Sequence, residues 1–142
     1  MNKNGPIIIL EDDEDDQELL VAAFKKLDYI NKLHFFSDGY KALDYLNDSS
    51  VIPFLILSDI NLPKLDGFAL RDKIKMDEKL QIRCIPYLFF STSASQKEVI
   101  NAYSLSVQGF FLKQNTIGGM EKTIKAIMEY WSLCASPNNF LS

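Results

Sequence analysis

The sequence is short of the residues that build metal cages, cross-links and nucleic-acid interfaces. It holds two cysteines, Cys84 and Cys134, and one histidine, His34, spread along the chain. That pattern fits neither a zinc-ligand spacing nor a disulfide framework, and both cysteines are expected as buried thiols. Basic charge is in deficit: Lys and Arg number 15 against 19 Asp and Glu, a net charge of −4. No Lys/Arg stripe runs along any segment, so the electrostatic footprint of a phosphate-backbone binder is missing and nucleic acid is excluded as a direct ligand. Long apolar runs are also absent. The stretch before Glu11 is too short for a signal-peptide core, and nothing approaches the roughly 18 residues of a membrane span. The chain reads as cytoplasmic, with no membrane partner. Internal repeats, low-complexity tracts and linkers are lacking too. What is present is 142 residues with 47% hydrophobic content, enough for one domain with a two-sided core and not for two.

Apolar runs alternate with helix-period stretches along the whole length. The candidate strands are Pro6–Leu10, Leu33–Ser37, Phe54–Ser58, Pro86–Ser91 and Gln108–Leu112. Three of them are nearly all apolar, as strands covered on both faces by helices should be. The candidate helices are Asp15–Leu27, Tyr40–Leu46, Gly67–Met76, Gln96–Leu105 and Gly119–Cys134; the first carries Leu19, Leu20, Ala23, Phe24 and Leu27 at helical spacing. Repeated βα units of this kind predict an α/β domain with a five-stranded parallel sheet. In such open sheets ligands sit beyond the carboxyl ends of the strands, where strand order reverses, so the residues just after each strand carry the chemistry.

Six acids in a row, Glu11 to Asp16, follow the first strand. Acids at a helix start satisfy free N–H groups and suit the helix dipole, which accounts for Asp13 to Asp16 equally well. Glu11 and Asp12 are different, because they come directly off an apolar strand. The third strand ends in Ser58-Asp59, followed by Ile60-Asn61-Leu62-Pro63 and Asp66-Gly67. If these two strands are neighbours, three carboxylates converge. At ~4 Å and an effective dielectric of about 20, each like-charge pair costs on the order of 4 kcal/mol, a large fraction of a small domain's stability. A hard divalent cation relieves this, and the open positions on magnesium then accept phosphate oxygens. The fourth strand ends in Ser91-Thr92-Ser93 and the fifth in Leu112-Lys113. Each alone reads as turn chemistry or a solvated lysine. With the acids they complete a set: a phosphorylated carboxylate needs a nucleophile, a metal, a hydroxyl donor and a fixed cation for its oxygens.

On these residues the sequence resembles the receiver domain of two-component response regulators, from about Pro6 to Trp131. The likeness rests on Glu11-Asp12, on Asp59 with Asn61-Leu62-Pro63 and Asp66-Gly67, on Ile85-Pro86 leading to Ser91, and on Gly109 to Lys113. It implies a doubly wound, flavodoxin-like receiver fold of strand order 2-1-3-4-5, with the receiver domain over 6–134, a short tail over 135–142 and no output domain. By the same likeness Asp59 is the phosphoacceptor. Asp12 binds magnesium directly and Glu11 through water, Asp59 and the main-chain carbonyl of Asn61 are further ligands, and manganese can replace the magnesium. Ser91 and Lys113 hold phosphoryl oxygens, and Phe110 stands where the family carries its rotating aromatic switch. The implied function is phosphorelay signalling, with no enzymatic turnover beyond self-catalysed phosphotransfer and slow autodephosphorylation. The donor is a sensor histidine kinase or phosphotransfer protein, and dimerisation through the fourth helix, fifth strand and fifth helix is one route for output. Tyr103, Tyr130 and Trp131 are candidate aromatic anchors there, with core burial expected for at least one. Within the family the resemblance leans to small single-domain regulators paired with phytochrome-type and other sensor kinases, through Glu11 to Leu20, Asp38-Gly39 and Tyr130-Trp131.

Three positions depart from the family's usual residues. Ser91 stands for the commoner Thr and Phe110 for the commoner Tyr, which removes a phenol. Gln114 follows Lys113 in place of Pro, so the Lys113–Gln114 bond is either trans or strained, since a cis bond there costs ~3–4 kcal/mol. An aspartyl phosphohydrolase would need a second acid two residues after its nucleophile, where this chain has Asn61. A flavin or nucleotide module would need a Gly/Ser/Thr-rich loop where this chain has six acids. The remaining alternative is a degenerate receiver that binds partners without phosphate, and the Asp12, Asp59, Ser91 and Lys113 set argues against it.

Overall fold

The structure, a computed structural model, describes residues 1–48, 50–92 and 94–137. Ser93, one of the strand-end hydroxyls above, and residues 138–142 of the expected tail lie outside the described residues. Five strands, β1 (Ile7–Leu10), β2 (Leu33–Phe36), β3 (Leu55–Ser58), β4 (Tyr87–Ser91) and β5 (Gly109–Leu112), pair in parallel in the order β2-β1-β3-β4-β5. The helices are α1 (Glu14–Lys26), α2 (Gly39–Asp48), α3 (Gly67–Met76), the single turn α4 (Glu78–Gln81), α5 (Gln96–Ser104) and α6 (Ile117–Leu133). None of them is long and apolar enough to cross a membrane.

Side chains alternate across each strand, so an all-apolar strand feeds two cores. Ile7, Ile9, Leu55, Leu57, Leu88 and Phe90 point to α1 and α6, where Leu20, Phe24, Ile124 and Ile127 meet them. Ile8, Leu10, Ile56, Tyr87 and Phe89 point to the other face and pack on Leu46 of α2, Leu70 and Ile74 of α3 and Ala102 of α5. Each aliphatic side chain so buried contributes roughly 1.5–3 kcal/mol. β1 lies between β2 and β3, with Leu10 beside Ser58 in register. Strand order therefore reverses at β1 and β3, and the residues after these two strands share one crevice.

Element ends differ from the sequence reading by a residue or two, for local reasons. Pro6 and Pro86 lend carbonyls to Phe54 and Ile56 N–H at 2.8 and 2.9 Å, but having no N–H they stand just outside the ladder. α6 starts ahead of Gly119 because the Thr116 hydroxyl accepts from Gly119 N at 3.1 Å and acts as the cap. The turn α4 has no counterpart in the sequence reading. Asp77 caps it and Leu80 anchors it in the core, and four residues carry too little periodicity to be seen. The expectation of buried thiols fails: Cys84 is exposed and Cys134 half-buried. Cys84 sits at φ 52 in the turn that closes α4, which carries its side chain outward, and Cys134 caps the end of α6. Among the described residues no peptide bond is cis, so the Lys113–Gln114 bond is trans.

Candidate functional site

β1 and β3 deliver their next residues to the same edge. Asp59 N–H donates to the Leu10 carbonyl at 3.0 Å, extending the ladder one residue past β3 and placing the Asp59 side chain beside Glu11 and Asp12. One carboxylate oxygen from each of these three residues lies within 4.8 Å of the others. The donors are all hard oxygens, two of them on a strand end and its neighbour, so the residues present fit a hard divalent cation.

Each acid is held differently. Glu11 is 2% exposed; Oε2 accepts from Asp13 N at 3.2 Å, Oε1 accepts from Lys113, and the Gln17 carboxamide donates to its carbonyl at 2.7 Å. Burial pushes the Glu11 carboxyl above its ordinary range, against the pull of the Lys113 ammonium. Asp59 is half-buried; Oδ1 accepts from Ile60 N at 2.7 Å and Oδ2 from Lys113 Nζ at 3.0 Å. Asp12 is exposed. Lys113 reaches this edge because its N–H donates to the Ser91 carbonyl at 2.7 Å, continuing the β4–β5 pairing. Its side chain is 4% exposed. Burial pulls it down, but its bonds to the Glu11 and Asp59 carboxylates outweigh that and hold it charged above its ordinary range. One ammonium does not neutralise the acids gathered around it, and the surplus negative charge is the electrostatic case for a cation.

The remaining residues singled out in the sequence sit around this cluster. Ser91 ends β4, buried, across from Leu112 in register. Asn61 is exposed in the loop after β3. Phe110 is half-buried, its ring 5.9 Å from that of Phe89. Trp131 packs partly buried on the α1/α6 core, whereas Tyr103 and Tyr130 are exposed.

Three features had no weight in the sequence reading. Asp16, which that reading grouped with the helix-start acids, places Oδ2 3.2 Å from Lys113 Nζ. The capping role belongs to Asp13, whose side chain accepts from Asp15 N and Asp16 N. Behind Asp59 runs a buried polar chain: the Tyr87 hydroxyl donates to the Gly67 carbonyl at 2.9 Å and lies 2.9 Å from Ser58 Oγ, which donates to the Asp59 carbonyl at 2.8 Å. Arg71 stacks over the Tyr87 ring, 5.6 Å from its centroid, and donates to the Leu105 and Ser106 carbonyls at 3.0 and 2.8 Å. A Tyr inside one apolar run and an Arg at the end of another are the only sequence signal for this chain. A cavity of about 460 Å³ lies away from this site, bordered by Arg71, Leu80, Cys84, Pro86 and Trp131, and shares no residue with the carboxylate cluster.

Comparison with known proteins agrees with this geometry. The family model described as the response regulator receiver domain matches residues 7–125. The probable methanogenesis regulatory protein FilR2 of Methanothrix harundinacea is 33% identical, over 88% of this chain and 82% of its own length. Response regulator Rcp1 of Synechocystis is 30% identical, over 88% and 87%. Among solved structures, the phosphorylated cyanobacterial phytochrome response regulator RcpA superposes with a TM-score of 0.83 at 30% identity, covering 93% of this chain and 97% of its own. The Mn(2+)-bound form of Rcp1 superposes with a TM-score of 0.79 at 29% identity, covering 92% and 97%.

Proposed function

The chain belongs to the response regulator receiver family of two-component signalling, and from that premise we propose that it accepts a phosphoryl group on Asp59 in a magnesium-dependent reaction. The observation that carries this reading is the convergence of Asp59, Glu11, Asp12 and Lys113 at the carboxyl edge of β1, β3 and β5. An Asp59 carboxylate oxygen forms the new bond to phosphorus, and the bond from phosphorus to the donor's imidazole nitrogen breaks, the nitrogen keeping the bonding pair and taking a proton from solvent water as it leaves. Asp12, Asp59, Glu11 through water and the Asn61 carbonyl would hold the magnesium. When bound, the ion offsets the charge of the acids and orients the phosphoryl oxygens.

Ile60 N–H fixes Asp59 Oδ1 at 2.7 Å and so sets the plane of the carboxylate. Lys113 turns from Asp59 Oδ2 to the incoming phosphoryl oxygens, a charge-assisted bond from a side chain that is itself almost wholly buried. Ser91 supplies a hydroxyl to the same oxygens. Phe110 packs into the space that Ser91 leaves, a shift between two packings of one fold. The phosphodonor is a sensor histidine kinase or phosphotransfer protein, in keeping with similar structures that are phytochrome or bacteriophytochrome response regulators. The same reading places the chain in the cytoplasm, with output by protein contact through α5, β5 and α6. Tyr103 of α5 and Tyr130 of α6, both exposed, are the candidate anchors for that contact.

Incubation with acetyl phosphate and magnesium, followed by intact mass, tests the assignment. Wild type should gain one phosphoryl group, and Asp59→Asn, or wild type with chelator, none. An adduct that persists in Asp59→Asn would remove Asp59 from the reaction.

A further inference from the structure

Lys113 has three ammonium hydrogens and three carboxylate neighbours: Glu11, Asp59 at 3.0 Å and Asp16 at 3.2 Å. Two of these carboxylates lie in the cluster that fits a cation, and Asp16 does not. Asp16 is also the most open of the three, 29% exposed against 15% for Asp59 and 2% for Glu11. Its side chain is not needed to cap α1, because Asp13 does that. It comes from the first turn of α1 and meets Lys113 across the top of the sheet, far away in sequence.

A cation drawn to Glu11 and Asp59 competes with Lys113 for their oxygens and, as a like charge, pushes the ammonium off them. Without another acceptor, a nearly buried ammonium would either stay and oppose the cation or be left unpaired, and both are costly. Asp16 is the acceptor that remains. The same contact then works against the next step. An ammonium already neutralised by Asp16 attracts phosphoryl oxygens less, and the Asp16 charge repels them directly. We propose that Asp16 is a positioning residue for Lys113, holding the ammonium when a cation takes Glu11 and Asp59, so that it favours metal entry and opposes capture of Lys113 by the phosphoryl group. This rests on the receiver reading above and adds a residue to it.

The two effects have opposite signs, which a merely structural role would not produce. Full-length Asp16→Asn should bind Mn2+, followed by the electron paramagnetic resonance of the free ion, at least about threefold more weakly than wild type. At saturating magnesium it should bind beryllofluoride, which stands in for the phosphoryl group on Asp59, at least about threefold more tightly by fluorine NMR. Asp16→Glu, which keeps the charge within reach of Lys113, should move both constants back toward wild type. Asp15→Asn removes the same charge from the same exposed turn without touching Lys113, and should change both constants less. Thermal melts close to wild type would show that the variants are folded. Equal constants for wild type and Asp16→Asn, shifts of the same sign, or an Asp15→Asn effect as large as that of Asp16→Asn would overturn the proposal while leaving the receiver reading intact. Failure of wild type itself to bind Mn2+ or beryllofluoride would overturn both.

Discussion

Tyr87 is a phenol with no route to water, held by Ser58 and the Gly67 carbonyl and covered by Arg71. Burial drives its ionisation far above the ordinary range; the Ser58 bond and the Arg71 charge only partly oppose that. Because the folded-state value lies above the unfolded one, the proton is bound more tightly in the folded state. The contribution to stability is therefore fully present below about pH 10 and is lost as pH rises beyond it, where unfolded chains ionise first. Tyr87→Phe should cost about 1–3 kcal/mol at neutral pH, since Ser58 and the Gly67 carbonyl lose a buried partner. It should also flatten the fall in stability above about pH 10, as urea melts across that range would report. An unchanged alkaline slope would mean that Tyr87 does not titrate in the unfolding transition. This residue also marks where the sequence stopped being legible. Acids and a lysine directly off strand ends could be read, because a strand end leaves its next residues at the sheet's edge. Tyr87 could not, because a polar atom inside an apolar run shows nothing of the partner waiting one strand away. Asp16 was hidden for a different reason: a carboxylate in the first turn of a helix already has a sufficient local explanation.

The start of α3 and the end of β3 press on each other at Gly67. Its N–H donates to the Ile60 carbonyl at 2.9 Å, and a Cβ there would stand 2.2 Å from the Asp59 carbonyl oxygen and 2.9 Å from the Phe89 ring. The loop that carries Asp59 thus closes only over a residue with no side chain. Gly118, in the first turn of α6, has nothing within 4 Å of the same hypothetical atom. Two glycine-to-alanine changes at helix starts should therefore act with opposite signs. Gly118→Ala should stabilise by about 0.4–1 kcal/mol, by restricting the unfolded chain. Gly67→Ala should destabilise by about 1–3 kcal/mol through overpacking, and should weaken Mn2+ binding by displacing Asp59. Urea midpoints at constant slope, with a metal titration, check both; stabilisation by Gly67→Ala would mean the two elements can separate freely. Elements of this length were legible to within a residue or two wherever they carried a stripe or an apolar run. Their ends were not, because caps such as Thr116 and Asp38, whose carboxylate accepts from Lys41 N at 2.9 Å, act through single hydrogen bonds. The turn α4 was lost altogether, since Leu80 alone fixes it to the core.

At the scale of the molecule, a fold that gathers Glu11, Asp12, Asp16 and Asp59 around one ammonium carries an electrostatic cost that the two apolar cores must cover. Lys113 lowers that cost without removing it, so a cation that binds only the folded chain should stabilise the whole domain. The linkage is RT ln(1 + [Mg]/Kd), about 2.7 kcal/mol at a hundred times Kd. For a chain of this size that corresponds to a rise in Tm of about 8–14 °C, at roughly 3–5 °C per kcal/mol. Chelator should reverse the rise, and equal ionic strength from sodium chloride should not reproduce it, because screening acts weakly on a cluster whose core is buried. Asp12→Asn separates the ion from the fold. It removes a like charge from beside Glu11 and Asp59, so without magnesium it should melt at or above the wild-type temperature. It also removes an exposed carboxylate from the proposed metal site, so the rise on adding magnesium should largely vanish. Calorimetry of both proteins with and without magnesium reads all four values. If Asp12→Asn kept the full magnesium-induced rise, the stabilising ion would have to bind somewhere other than the crevice between β1 and β3.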